Sequence, residues 1–520
     1  MAQQKSKDPK AASAPSKQPT VAELRNWYGQ NQKNLQNFAA AEEAYKSLRD
    51  VKRTSNKTIS TFSKETLRTY LQNISSNEVN LRNLSRYLYY RSHTYFRLVN
   101  FYANMFCFDI RSVVPKIDLV KGADLQKMLK SYYQTLEVLD KMNLSYELLK
   151  PAITCFREDV FYGCAYYDDT GLFILPLDPD YCKISGVYAQ GDFSFSMDMS
   201  YFRSRSYLLE LWGEPFDSMY RAFESDTTNG RWQPMPDEYA ACFKFRAEDW
   251  ETVIPPMTAI FNSLINLSDL EDIQAIAAEQ EIYKMIWMEL ETIDGSKDVD
   301  DWKVDPDLAI KYFNRMVNDG LPDYVTAVIV PGKLNSIGFD SDKAKDTNKI
   351  TDATEAVLNT AGGAEVLNGA SISGVAAFNA AAIANTNFAL STLLPQFQSW
   401  VNRFLSYWVS NPSKTIFHKV SEYTKEQFKK DMLEAAQNSF PTKLAYNSAN
   451  GFSALDTMAL NMVEEQILKI SQVFVPLQTS HTLSGSAETG EIGEGRPALD
   501  DTELTDDAAS SREKRDTANE

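Results

Sequence analysis

Histidine is almost missing from this chain. There are three in 520 residues, His93, His418 and His481, and they lie far apart. So scattered a set cannot hold a metal ion alone, and no HExxH or Cys–His spacing adds to it. His93 falls in an aromatic helical stretch and is expected to be a packing residue. Cysteine is also scarce: Cys107, Cys155, Cys164, Cys182 and Cys242. Their number is odd, none forms a CxxC pair, and all sit in apolar or aromatic surroundings. Buried thiols in a reducing compartment are expected. No run approaches the ~20 apolar residues of a membrane span, and residues 1–20 are polar with no apolar core of a signal peptide. The chain is expected to be soluble, made in the cytoplasm and free of membrane. Positive charge is short too: 53 Lys and Arg stand against 70 Asp and Glu, a net charge of −17. A field of that sign does not attract nucleic acid, although part of the acid lies in the last forty or so residues.

The signatures of common enzyme sites are missing as well. There is no GxxxxGK[ST] phosphate loop and no GxSxG elbow. Asp294–Asp301 (DGSKDVDD) lacks the spaced oxygen ligands and closing Glu of a calcium loop. Gly490, Gly493 and Gly495 have no strand before them. Asp168-Asp169 falls in a turn and is not read as a carboxylate pair. No catalytic residue, metal or cofactor is therefore assigned.

What is present is a globular composition, 43% hydrophobic with 12% aromatic residues. The length suggests about three domains. Residues 1–20 form a basic, Ala/Ser/Pro-rich arm expected to be disordered. Residues 21–48 read as a polar helix capped by Thr20, and 63–106 read as helical. Within that region LSRYLYYRSHTYFRLVNFYANMF carries aromatics on nearly every face, as a helix buried on all sides would. A strand over 113–119 and helices over 123–141 and 143–161 follow. In 163–202 the period changes to that of strands. Asp168-Asp169-Thr170-Gly171 marks one hairpin turn and Gln190-Gly191-Asp192 a second, with a helix from about 203. Pro255-Pro256 opens a helix that runs to about 282. Next come a strand (284–295), an acidic loop, a short helix (307–318) and two strands around Pro331-Gly332. A polar helix spans 342–361. Then comes TAGGAEVLNGASISGVAAFNAA (360–381), with four glycines and no Lys or Arg. A long helix over 373–409 has Pro395 inside it, where a proline kinks a helix. A strand (413–423), helices over 424–438 and 454–472, and an acidic, Ser/Thr/Gly-rich tail (477–520) expected to be disordered complete the chain.

A helix leading into a small α/β insert, a helix leaving it, a glycine loop and a long kinked helix make an order that resembles the bacteriophage portal proteins, the head–tail connectors of tailed double-stranded DNA phages. RNLSRYLYYRSHTYFRLVNFYANMF (82–106), FREDVFYGCAYYDDTGLFILPLDPDYCKIS (156–185), VPGKLNSIGFD (330–340) and AGGAEVLNG (361–369) look like phrases of that family. The resemblance covers about 60–475 and rests on order and composition. It implies an α+β, mostly helical subunit. Its parts would be a disordered arm (1–20), N-terminal helices and wing (21–250), stem helix 1 (251–282), clip (283–341), stem helix 2 (342–361), tunnel loop (362–373), long kinked helix and wing strand (374–423), crown helices (424–476) and disordered tail (477–520).

It also implies a ring, typically a dodecamer, at one capsid vertex of the virion. The terminase large subunit, a head–tail adaptor, the major capsid protein and scaffold, and DNA in transit would be its partners. The tunnel loop would comprise Gly362, Gly363, Val366, Leu367, Asn368, Gly369, Ser371, Ile372, Ser373 and Gly374. Lys343, Lys345 and Lys349 would face the channel from the second stem helix. Asp298, Asp300, Asp301 and Trp302 would dock terminase or adaptor. An acidic chain suits a duplex that must slide and not be gripped. Three other readings stand beside this one: another virion collar or adaptor protein, a hydrolase with an unrecognised carboxylate site, and a non-viral helical scaffold.

Overall fold

The computed structural model describes residues 18–35, 64–117, 124–282, 285–289, 303–320, 326–330, 347–363, 367 and 374–473. The chain divides into two compact units, Met1–Thr457 and Met458–Glu520. It is α+β and mostly helical.

Gln18 and Pro19, at the end of the arm, lie against the turn at Gly213-Glu214, where Gln18 and Glu214 exchange hydrogen bonds of 2.9 and 3.0 Å. Thr20 then caps α1 (Val21–Leu35) reciprocally: Thr20 N–H donates to Glu23 at 2.9 Å and Glu23 N–H to Thr20 Oγ1 at 3.3 Å. The aromatic stretch is not one continuous helix. It forms α2 (Lys64–Gln72), α3 (Ile74–Arg91) and α4 (His93–Ala103), broken at Asn73 and Ser92. Ser92 is extended and accepts from Tyr95 N–H, which restarts the helix. The break leaves Tyr90 and Phe96 exposed. His93, at the first position of α4, is exposed as well and packs on one side only, stacked on Phe96.

Strand β1 (Arg111–Val114) stops before Pro115, which has no N–H for a ladder. Helix α5 (Leu125–Met142), a short turn α6 (Leu144–Glu147) and α7 (Leu149–Glu158) lead to Asp159. At φ 78° Asp159 switches the chain into β2 (Val160–Asp168), so the helix expected over 143–161 ends early. Strand β2 forms the expected hairpin with β3 (Gly171–Pro176). Asp168 shapes the turn: one carboxylate oxygen accepts Thr170 N–H at 2.7 Å and the other accepts Val21 N–H at 2.9 Å, at the start of α1. The second hairpin pairs β4 (Cys182–Val187) with β5 (Phe193–Asp198). Short helices α8 (Tyr207–Trp212) and α9 (Phe216–Ser225) precede β6 (Trp232–Pro234) and β7 (Ala240–Lys244). Two antiparallel sheets result, in the orders β3-β2-β7 and β4-β5-β6.

The first of these sheets is buried on both faces, which explains the unbroken apolar run VFYGCAYY. Phe161, Ala165, Leu172, Ile174 and Phe243 face one core, shared with helices α2–α7. Val160, Tyr162, Cys164, Phe173 and Cys242 face the other, shared with α1, α8, α9 and the second sheet. A methyl group at Gly163 would come within 2.7 Å of Ile174 and of the Phe161 ring, so the strand needs glycine there.

After a 3-10 turn (Thr258–Ile260) come α10 (Phe261–Ile282), β8 (Met285–Glu289), α11 (Pro306–Gly320), β9 (Thr326–Val330) and α12 (Thr347–Ala361). Strands β8 and β9 pair in parallel, so the insert is a β-α-β unit. Of the two strands expected around Pro331-Gly332, β9 is described and the part from 331 on lies outside the described residues.

Helix α13 (Val375–Trp408) has 34 residues and continues through Pro395. Leu390, Leu393, Phe397, Trp400, Val401 and Phe404 form its buried stripe, each contributing about 2 kcal/mol. Strand β10 (Lys414–Phe417) pairs with β1, a shorter strand than 413–423. Three amides in this helix, whose one charged residue is Arg403, have a structural reason. β7 is an edge strand, and Gln396 serves its open side: Oε1 accepts Lys244 N–H at 3.0 Å and Nε2 donates to Lys244 O at 2.8 Å. Trp400 Nε1 and Arg403 Nη2 both donate to Ala240 O at 2.9 Å. Toward β10, Asn402 exchanges two 2.8 Å bonds with the Thr415 backbone, and Gln398 accepts Phe417 N–H at 3.0 Å. The helix thus closes two sheet edges with side chains. Helices α14 (Lys425–Gln437) and α15 (Lys443–Ala449) follow, the second not anticipated, then α16 (Ala454–Asn461). In the second unit a π turn (Met462–Ile467) and a short helix α17 (Ile470–Val473) replace the single helix expected to 472.

Candidate functional site: the paired helices and the root of the glycine loop

Helices α10 and α12 pack on each other. The start of α10, through Phe261, Leu264 and Ile265, is buried in the same core as Val357 and Leu358 near the end of α12. The two helices therefore run in opposite directions, with the β-α-β unit between them in the chain. Helix α10 holds five carboxylates and no Lys or Arg; α12 holds Asp352, Glu355 and one lysine, Lys349. Lys349 is exposed. Lys343 and Lys345 lie outside the described residues, as do Asp298, Asp300, Asp301 and Trp302.

Gly362 and Gly363 follow α12 at φ 81° and 84°, the left-handed region in which glycine ends a helix. Their surroundings are tight. A methyl group on Gly362 would sit 2.6 Å from Tyr102 Oη, and one on Gly363 would sit 3.0 Å from the Phe101 ring. The Tyr102 hydroxyl donates toward Ala361 O at 3.0 Å and Asn385 Oδ1 at 3.2 Å, so one phenol joins α4, the end of α12 and α13. Beyond the glycines, Leu367 N–H donates to Gly363 O at 2.8 Å, and Arg97 Nη2 donates to Leu367 O at 3.3 Å. Val366, Asn368, Gly369, Ser371, Ile372 and Ser373 lie outside the described residues. Gly374, at φ 127° with open space around it, begins α13. Residues 374–380 are all exposed. No Asp, Glu, Lys, Arg or His occurs between Glu365 and Arg403.

Of the expected loop set, the structure brings Gly362, Gly363 and Leu367 together at one root and places Gly374 at the start of the next helix. Sequence reasoning missed the clamp made by Arg97, Phe101, Tyr102 and Asn385. The signal is the aromatic density of 84–106, which in local pattern reports only packing.

Groups with chemical potential elsewhere are quiet. Burial, with Glu422 nearby, pushes the Cys107 thiol up to about 12, and burial raises Cys155, Cys164, Cys182 and Cys242 as well. None of them is a ready thiolate. Ser112 Oγ and His418 Nε2 lie 2.8 Å apart across β1 and β10. Burial lowers the basicity of His418, and among the described residues no carboxylate is bonded to its ring. Among the described residues no three His, Cys, Asp or Glu side chains are grouped to hold a metal, and no helix is long and apolar enough to cross a membrane.

No family model and no curated protein matches the sequence. Among solved structures, the chain is similar to one from the neck of an empty gene transfer agent particle computed with C6 symmetry. The TM-score is 0.38 at 13% identity, over 71% of this chain and 91% of that one. It is also similar to a chain in the virion of a native gene transfer agent particle, with TM-score 0.36 at 12% identity, over 78% of this chain and 95% of that one. Likeness this slight assigns neither fold nor function.

Proposed function

We propose that this chain is the repeating subunit of a phage portal, a ring at one capsid vertex through which double-stranded DNA enters during packaging and leaves at ejection. One observation carries the reading: two antiparallel helices enclose a β-α-β insert in the chain, and the second ends at a clamped double glycine that precedes a 34-residue helix. In this reading α10 and α12 belong to the stem (251–282 and 342–361), 283–341 is the clip, 362–373 the tunnel loop and 424–476 the crown. The remaining α+β body is the wing. The ring closes through heterologous contacts, one face of each subunit meeting the opposite face of the next. Terminase docks on it during packaging and a head–tail adaptor afterwards, while capsid protein and scaffold surround it. No chemical step falls to the chain. The acidic stem pair and the uncharged stretch before Arg403 suit a channel that lets DNA slide.

The decisive measurement is the native mass of the purified chain, with and without scaffold, together with negative-stain images. A closed ring with a central channel and a narrower stem is expected. A monomer at every concentration in both conditions overturns the proposal.

A further inference from the structure

Helix α3, the turn from Pro179 into β4 and the segment after β7 enclose a cleft of about 480 Å³ that the portal reading does not use. Tyr162 lines it from β2. The residue is 3% exposed, yet its hydroxyl has no hydrogen-bond partner among the described residues. The hydroxyl is not among the enclosed polar atoms that lack a partner, so it opens on the cleft and can bond what enters. Glu78 lines the cleft from α3 and forms no ion pair among the described residues. Burial pushes its carboxyl up, against the opposing effects of the Val253 N–H, Arg82 and Lys244. The cations of the cleft are committed elsewhere. Arg82 is paired with Asp180, and the Lys183 ammonium lies over the Trp232 ring, 4.1 Å from its centre. At the mouth Trp250 is half-exposed, beside the exposed Glu251.

We propose that this cleft receives a lysine or arginine side chain from a protein partner, with its cation on Glu78, a hydrogen bond to Tyr162 Oη and Trp250 against its stem. Charge decides the class. Three carboxylates (Glu78, Asp180 and Glu251) line the cleft against two cations, Arg82 on Asp180 and Lys183 on an indole, so the lining keeps one net negative charge that disfavours a carboxylate or phosphate. A cation entering a partly desolvated site gains from both the carboxylate and the indole face. The apolar walls of Val79, Ile184 and Val253 suit the methylene stem of such a side chain.

The test is calorimetric titration of the full chain with blocked octapeptides of Gly and Ser that carry one central Arg, Lys or Gln. Saturable binding of the Arg and Lys peptides is expected, with the Gln peptide weaker by about tenfold or more. Glu78→Gln should remove that preference, and Tyr162→Phe should weaken it several-fold. Lowering the pH should abolish binding at a higher pH than an exposed glutamate would require. If Glu78→Gln unfolds the chain, Trp250→Ala at the mouth serves, with the same expected weakening. Equal affinity for the Arg and Gln peptides, or no saturable binding by the native chain, overturns the proposal.

Discussion

Gly362 sits where a side chain would meet two obstacles: a left-handed backbone and the Tyr102 hydroxyl, 2.6 Å from the added methyl. Gly362→Ala should therefore cost about 2–3 kcal/mol, read as a lower urea midpoint. Tyr102→Phe keeps the ring and removes the hydroxyl that reaches Ala361 O and Asn385 Oδ1. A loss of about 1–2 kcal/mol is expected, and an unchanged midpoint would detach Tyr102 from the loop root. Glu158 is the second residue with a large predicted effect. It is 1% exposed, and burial opposes its charge. Arg157 and Arg86, at 2.7 Å from its two oxygens, outweigh burial and hold the carboxyl at about 2, against an ordinary 4.5. A depressed folded value stabilises above the unfolded value and is lost as pH falls through the folded one. Glu158→Gln should thus cost about 3 kcal/mol at neutral pH. The gap to wild type should close between pH 4.5 and 2. A gap that stays constant across that window would mean the arginines do not control the carboxyl.

At the scale of elements, α13 does what neither sheet does for itself. Gln396 and Asn402 each pair with both the N–H and the C=O of one strand residue, Lys244 and Thr415, on the two sides of the helix. Gln396→Leu keeps the volume but leaves two buried backbone groups unpaired. The expected cost is about 2–4 kcal/mol, with a smaller one for Asn402→Leu, where the site is only half-buried. Thermal unfolding of both variants checks this; a neutral Gln396→Leu would show that the edge of β7 does not need the helix. The hairpins were legible beforehand because turn residues at fixed offsets flank alternating or fully apolar runs. The helix breaks at Asn73 and Ser92 were not. Neither is Gly or Pro, and the periodic pattern runs through both.

For the whole molecule, the portal reading makes demands that stability measurements do not reach. Deleting 366–372 should leave ring assembly intact and impair DNA packaging or retention in a virion assay. Normal packaging and retention would remove the tunnel-loop assignment. Replacing Lys343, Lys345 and Lys349 with Glu should weaken packaging and retention if these lysines meet phosphates in the channel. Unchanged packaging would take them off the channel wall.

The sequence by itself determined the class of the fold, the two hairpins and the end of α12 at a double glycine. Each of these depends on neighbours a few residues apart, which periodicity and turn chemistry report directly. The tertiary structure alone decided that β2 separates two cores, that α13 seals two strand edges and that Tyr102 clamps the loop root. Lys244 and Gln396 are 152 positions apart, and Tyr102 and Ala361 are 259 apart. Such partners are chosen by how the packed layers bring surfaces together, and nothing in local spacing encodes that choice.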